Sequence, residues 1–330
     1  MGEKDPDFYI DGVRSGNRRI LAKTITLIES AHPAHRQLGR TVVERLLPHT
    51  GTATRLGITG VPGVGKSTFI ESFGMMLVEK GHQVAVLAVD PSSTRSGGSV
   101  MADKTRMERL SVAPEAFIRP SPSGGTLGGV ARMTRETLLV CEAAGFDVVI
   151  VETVGVGQSE TTVASMVDFF LVLMLAGAGD ELQGIKKGVL ELADAVAVNK
   201  ADGDNLERAE KARQSYAMAL HLLNPATPTW SPPVLTCSAL TLDGVDRLWA
   251  TVQDHRSRLS ATGELDQKRR RQALAWMWSR IEDGLRERFF GNPAVNSRIK
   301  DTEASVRRGE LSPTVGAETL LFLLDKEGGV

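Results

Sequence analysis

Two short stretches of this chain hold residue types at spacings suited to nucleotide chemistry. The first is Gly60-Val61-Pro62-Gly63-Val64-Gly65-Lys66-Ser67-Thr68, which satisfies G-x-x-x-x-G-K-[ST]. Its glycines allow backbone angles and close approaches that a Cβ would block. The amides from Val61 to Thr68 can then converge as an anion nest at the positive end of a helix dipole. Lys66 is expected to reach the β- and γ-phosphates, and the Ser67 hydroxyl to sit on Mg²⁺. The second stretch is Asn199-Lys200-Ala201-Asp202, an N-K-x-D motif. A carboxylate at Asp202 accepts from N1–H and the exocyclic amine of guanine. Adenine turns a lone pair toward that carboxylate and has no 2-amino group. An unpaired buried polar group costs about 1–3 kcal/mol, and a charge more, so this pattern selects guanine. Asn199 is expected to brace the loop, with the Lys200 stem over the base. Ser238-Ala239-Leu240 is expected to meet the base through backbone amides.

Acidic residues fall where a metal and two switches belong. Asp90 follows an apolar run, Gln83 to Val89, and is read as contacting Mg²⁺ through water or organising the phosphate site. The polar stretch 94–99 leads to Asp103, and the whole reads as a first switch. For Asp103 itself, a metal ligand and a helix cap are equally good readings. Glu152 follows Asp147 to Val151 and precedes Gly155, the pattern of a second switch with glutamate in place of the commoner aspartate. Glu152 would hold Mg²⁺ through water, the Gly155 amide would sense the γ-phosphate, and Gln158 is a candidate for orienting the attacking water. The catalytic set is therefore Lys66, Glu152 and Gln158, and the metal set Ser67, Asp90, Asp103 and Glu152. A glycine-rich run at 177–184 reads as a conformational element. Another, at 121–129, is assigned no role.

These residues need a scaffold that delivers loops to one edge. Thr54 to Thr59, Gln83 to Val89, Asp147 to Val151, Phe169 to Leu175, Ala195 to Val198 and Val234 to Thr236 are short and apolar, the signature of buried parallel strands. Lys66 to Lys80 has helical spacing, with Gly81 as its stop. The expected fold is α/β: a mostly parallel sheet forming a P-loop NTPase core, flanked by helices. Residues 1–50 and 263–330 carry helical patterns only. They are read as an N-terminal extension and a C-terminal dimerisation arm around a core at 51–262, both offering a dimer or partner surface.

The 330 residues include 42% hydrophobic and 24% charged side chains, an ordinary soluble composition, and the net charge of −1 argues against a general nucleic-acid surface. Lys268 to Arg271 is a basic run, read as a solvated helix face. Cys141 and Cys237 form no CxxC, which fits two reduced thiols in a cytoplasmic protein. His32 and His35 flank Pro33 and read as a solvated loop rather than a metal pair. The longest apolar run, Phe169 to Ala176, is too short to span a bilayer.

The runs GVPGVGKST, AVDPSSTRSGG, ETVGVGQSE, GAGDELQGIK and NKAD together resemble the MeaB/ArgK-type GTPases, the methylmalonyl-CoA mutase-associated chaperones. The likeness spans nearly the whole chain. It implies a homodimeric GTPase using GTP/GDP and Mg²⁺. Its partner would be an adenosylcobalamin-dependent methylmalonyl-CoA mutase, assisted in cofactor loading, protection and reactivation. It also implies that Ser67, Asp90, Asp103 and Glu152 surround Mg²⁺, and that the loop from Gly177 to Lys187 couples nucleotide state to the mutase. Val61 and Pro62 stand where some related metallochaperone GTPases have a second lysine. Two other readings are a nickel-insertion GTPase, which usually brings His-rich or Cys motifs absent here, and an ATP-using transport kinase, against which N-K-A-D argues.

Overall fold

The computed structural model describes residues 5–30, 32–89, 107–121, 127–153, 159–177, 187–221 and 228–326. Asp90, Asp103, Gly155 and Gln158 lie outside the described residues, as does most of each glycine-rich loop, at 122–126 and 178–186. Seven strands among the described residues form one sheet in the order β3-β2-β4-β1-β5-β6-β7. They are β1 (Thr54–Gly60), β2 (Val84–Val89), β3 (Ala116–Arg119), β4 (Val148–Thr153), β5 (Phe169–Leu175), β6 (Ala195–Asn199) and β7 (Val234–Thr236). Every pairing is parallel. The fold is the α/β architecture that the apolar runs require.

Side chains on successive strand positions point to opposite faces, so each strand feeds two cores. Val149, Val151, Phe170, Val172 and Met174 join one cluster. Leu56, Ile58, Ile150, Leu171 and Leu173 join the other. The second face is covered by the phosphate-loop helix Lys66–Glu79, through Phe69, Ile70, Phe73 and Leu77, and by the helix Val245–Thr262, through Leu248, Trp249 and Val252. The first is covered by the helices Leu127–Ala143 and Leu206–His221, together with the amino-terminal helices.

Those amino-terminal helices are three, Pro6–Arg14, Arg18–Glu29 and Pro33–Leu46. Asn17 separates the first two, its Oδ1 accepting from the amides of Arg19 and Ile20 at 3.1 and 3.2 Å. Ile10, Val13, Leu21, Ile25, Ile28, Val42 and Leu46 are all buried in the first-face cluster. Their apolar faces therefore turn inward onto the sheet domain. His32 and His35 are exposed as expected, but only His32 precedes the helix; Pro33 opens it and His35 lies in its first turn rather than in a loop.

Within the basic run at 268–271, Arg270 and Arg271 are exposed as expected, whereas Lys268 and Arg269 correct the reading of a solvated face. Asp168 and Asp194 stand immediately before β5 and β6 and are buried. Lys268 donates to the Asp168 carbonyl at 2.6 Å and to Asp194 Oδ2 at 3.1 Å. Arg269 grips both Asp168 carboxylate oxygens, at 2.8 and 2.7 Å. A buried carboxylate demands a partner, and the first turns of the helix Glu264–Gly291 supply two.

The chain divides into two compact units, 1–269 and 270–330. In the second, the helices Pro293–Arg307 and Pro313–Lys326 pack together. Gly316 sits at this contact, where a Cβ would lie 3.1 Å from Val306 Cγ2 and that side chain would have to shift slightly.

Candidate functional site

The carboxyl ends of β1, β4, β5, β6 and β7 converge on the two chemistry-bearing motifs. At the end of β1, Gly60 pairs with Leu173 of β5. A Cβ at Gly60 would lie 2.6 Å from the Leu173 carbonyl oxygen, so only glycine lets the chain leave the sheet there. Gly63 and Gly65 adopt φ of 77° and 85°. Gly65 is the N-cap of the helix that begins at Lys66, which brings the amides of 61–68 to a helix amino terminus. Val61 and Val64 are buried anchors, whereas Pro62, Gly63 and Thr68 are exposed and Ser67 is half-buried at the helix start.

Lys66 Nζ donates to the Gly60 carbonyl at 3.3 Å. Burial lowers its pKa, and the carboxylates of Glu152 and Glu160 pull the other way. Glu152 is buried and lies inside β4, which runs to Thr153, opposite Ile58 of β1 and Ala88 of β2. Beside it the hydroxyls of Thr59 and Thr153 meet at 2.7 Å, joining the ends of β1 and β4. Glu160 is also buried. Its sequence setting, a charged residue at the start of a short helix, gives no sign of that burial.

The N-K-x-D loop docks on the phosphate loop. Asn199 Nδ2 donates to the Val64 carbonyl at 2.8 Å, and Lys200 Nζ to the Gly63 carbonyl at 2.8 Å. Lys200 holds φ at 60°, a strained value for a residue with a Cβ. Asn199 Oδ1 accepts from the Ala239 amide at 3.2 Å, with the Cys237 thiol 3.7 Å away. Burial pushes that thiol up to about 12. Asp202 Oδ2 accepts from the Ser238 hydroxyl at 2.5 Å. The structure thus brings Asn199, Lys200, Asp202, Ser238 and Ala239 together beside the phosphate loop. Leu240 contributes its backbone to this loop and leaves its side chain 81% exposed.

Two residues of the phosphate-loop helix that sequence reasoning passed over also reach out. Glu71 accepts from the Arg109 amide at 2.8 Å and from that of Leu110 at 3.3 Å. Ser72 donates to the Ala239 carbonyl at 2.7 Å. Neither belongs to a motif, and only the packing of distant segments reveals them.

Comparison with known proteins agrees with this geometry. Residues 21–294 match the family described as Methylmalonyl Co-A mutase-associated GTPase MeaB. GTPase ArgK of Escherichia coli is 49% identical over 308 residues, covering 93% of each chain. The mitochondrial methylmalonic aciduria type A homolog of Mus musculus is 45% identical over 325 residues, covering 96% of this chain and 78% of that one. A solved structure described as an LAO/AO transport system kinase superposes with a TM-score of 0.79 at 42% identity, covering 98% of this chain and 99% of that one. The chain belongs to the MeaB family of P-loop GTPases.

Proposed function

We propose that this protein binds and hydrolyses GTP as a chaperone for an adenosylcobalamin-dependent mutase, with methylmalonyl-CoA mutase the expected client. The observation that carries the nucleotide part is the docking of Asn199 and Lys200 onto the carbonyls of Val64 and Gly63. It fixes the distance between a phosphate cradle and a base-reading carboxylate, as one bound guanine nucleotide requires. The mutase part rests on family membership and on relatives named for methylmalonic aciduria.

In this reading the amides of 61–68 hold the phosphates and Lys66 neutralises charge that develops on them. Ser67, in the first turn of the phosphate-loop helix, and Glu152, near the carboxyl end of β4, supply hard oxygen donors, a donor set that suits Mg²⁺. Ser67 would bind the ion directly and Glu152 through water. The metal would offset phosphate charge. Asp90 and Asp103 complete the proposed metal set, and Gln158 is the proposed water-orienting residue. The domain reading is a nucleotide core with an arm that pairs two copies. The stripe Leu274, Met277, Trp278, Ile281 and Leu285 supports it, because each of these side chains is exposed. No helix among the described residues is long and apolar enough to cross a membrane.

The test is GTP hydrolysis by the purified protein, with and without a cobalamin-dependent acyl-CoA mutase of the same organism. Acceleration by the mutase with GTP, and none with ATP, is the expected result. GTP hydrolysis indifferent to the mutase would overturn the client. Hydrolysis of ATP in place of GTP would overturn the guanine reading.

A further inference from the structure

We propose that Ser72 is a positioning residue for guanine recognition, acting on Asp202 through a relay of hydrogen bonds. The proposal rests on the reading of Asp202 as the guanine-binding carboxylate.

Ser and Thr hydroxyls inside helices commonly donate to the carbonyl four residues back. Thr24, Thr134 and Ser215 do so here, to Ile20, Val130 and Lys211. Ser72 does not follow them. Its hydroxyl leaves the phosphate-loop helix and donates across 167 positions of sequence to the Ala239 carbonyl at 2.7 Å. That carbonyl belongs to the peptide group between Ala239 and Leu240. The other end of the same group, the Leu240 amide, donates to Ser238 Oγ at 3.2 Å. Both ends of the peptide plane are therefore held.

Ser238 Oγ also accepts from the Thr241 amide at 3.1 Å. A hydroxyl has one proton and two lone pairs. With both lone pairs engaged by amides, the single proton is directed to Asp202 Oδ2, at 2.5 Å. The relay runs from Ser72 to the 239–240 peptide, to Ser238, to Asp202. Such chains polarise in sequence, each bond strengthening the next. Without Ser72 the peptide plane is held at one end only, through the Leu240 amide, and can turn. The Leu240 amide then drifts from Ser238, and the carboxylate loses its fixed orientation.

The consequence is specific to the base. Inosine differs from guanosine only by the missing 2-amino group, so the ratio of GTP to ITP affinity reports the placing of the Asp202 carboxylate. Affinities for GTP, ITP and ATP would be measured on the full chain and on Ser72→Ala, Ser72→Thr and Asp202→Asn, with thermal melting as the check on folding. Ser72→Ala is expected to weaken GTP about three- to tenfold, weaken ITP less and so lower the GTP-to-ITP ratio. Ser72→Thr, which keeps the hydroxyl, is expected to restore the ratio. Equal weakening of GTP and ITP would assign Ser72 a packing role and overturn the relay, as would unchanged affinities. Asp202→Asn separates the two levels. If it leaves the preference for GTP intact, the guanine reading itself fails. If it abolishes the preference while Ser72→Ala leaves the ratio alone, only the relay fails.

Discussion

Asn199 Nδ2 donates to the Val64 carbonyl at 2.8 Å across 135 positions of sequence, while its Oδ1 accepts from the Ala239 amide at 3.2 Å. One buried carboxamide thus ties the phosphate loop to both segments proposed to read the base. Asn199→Ala removes both bonds and strands a buried carbonyl and a buried amide. With about 0.5–1.5 kcal/mol for each bond, nucleotide affinity should fall about ten- to hundredfold. The release rate of a fluorescent GDP analogue measures it, and a rate equal to that of the native protein would show that Asn199 braces nothing.

Lys66 carries a sharper pH signature. Burial lowers its pKa below the ordinary 10.5, so its ionised form disfavours the fold. That disadvantage is present below the lowered value and relaxes as pH rises toward 10.5. Bound phosphates reverse the balance by favouring the ionised form. Nucleotide binding should therefore take up a proton at alkaline pH, and affinity should fall as pH rises through the lowered value. Guanine ionises in alkali as well, so the measurement is the difference between the native protein and Lys66→Ala: a steeper fall in GDP affinity for the native protein. Parallel curves would contradict it. The same substitution should abolish GTP hydrolysis, and a fully active variant would refute the phosphate role.

Much of this was legible in the sequence because it is local. A P-loop is a contiguous turn whose glycines have mechanical reasons, and β5 and β7 match their apolar runs residue for residue. What escaped depends on distance. The edge strand β3 has four residues and no distinct pattern. The helix Ser159–Ala164 is only six residues long, and Leu206–His221 has few buried side chains to set a stripe. The basic run at 268–271 reads as solvated until Asp168 and Asp194, some 75 to 100 positions away, are placed against it. Ser72 and Glu71 are invisible for the same reason: their partners lie in other segments.

Glu71 offers a stability test free of nucleotide. Its carboxylate accepts from the first amides of the helix Glu108–Val112. Loss of such a cap costs about 1 kcal/mol, and Glu71→Ala should lower the melting temperature accordingly. Gly74, one turn on, faces Leu110, whose Cδ2 would lie 2.6 Å from an added Cβ. Gly74→Ala should then destabilise by about 1–3 kcal/mol through overpacking, despite the better helix propensity of alanine. A more stable Gly74→Ala protein would show that Leu110 has room to move.

The acid limb of stability should depend on Asp194. Burial pushes its carboxyl up, but Lys268, His255 and the Phe170 amide together outweigh burial and hold it below the ordinary 3.8. A depressed carboxylate stabilises the fold at pH above its unfolded value and loses that contribution as pH falls through the folded one. Asp194→Asn should therefore flatten the decline in stability below about pH 4. At neutral pH it should destabilise by about 3 kcal/mol, because breaking a buried pair leaves a charge uncompensated. Urea unfolding at pH 7 and in stepped acid gives both numbers, and an acid limb identical to the native one would exclude Asp194 as its source.

The carboxyl-terminal arm makes the last prediction. Leu274, Met277, Trp278, Ile281 and Leu285 recur at intervals of three and four along one helix and are 41–55% exposed. At about 25 cal/mol per Å² of apolar surface, leaving such a stripe in water forgoes several kcal/mol, and a second copy of the same stripe is the occupant that the family resemblance implies. A two-fold pairing is self-complementary, so one substitution acts twice per dimer. Leu274→Glu combined with Ile281→Glu would place four carboxylates, two from each copy, in a desolvated seam. Sedimentation velocity should find the native protein dimeric and the double variant monomeric, with GDP affinity changed by less than about threefold, because both positions lie in the second compact unit and the phosphate and base loops in the first. A native protein that sediments as a monomer, or a double variant that stays dimeric, would refute pairing through this stripe.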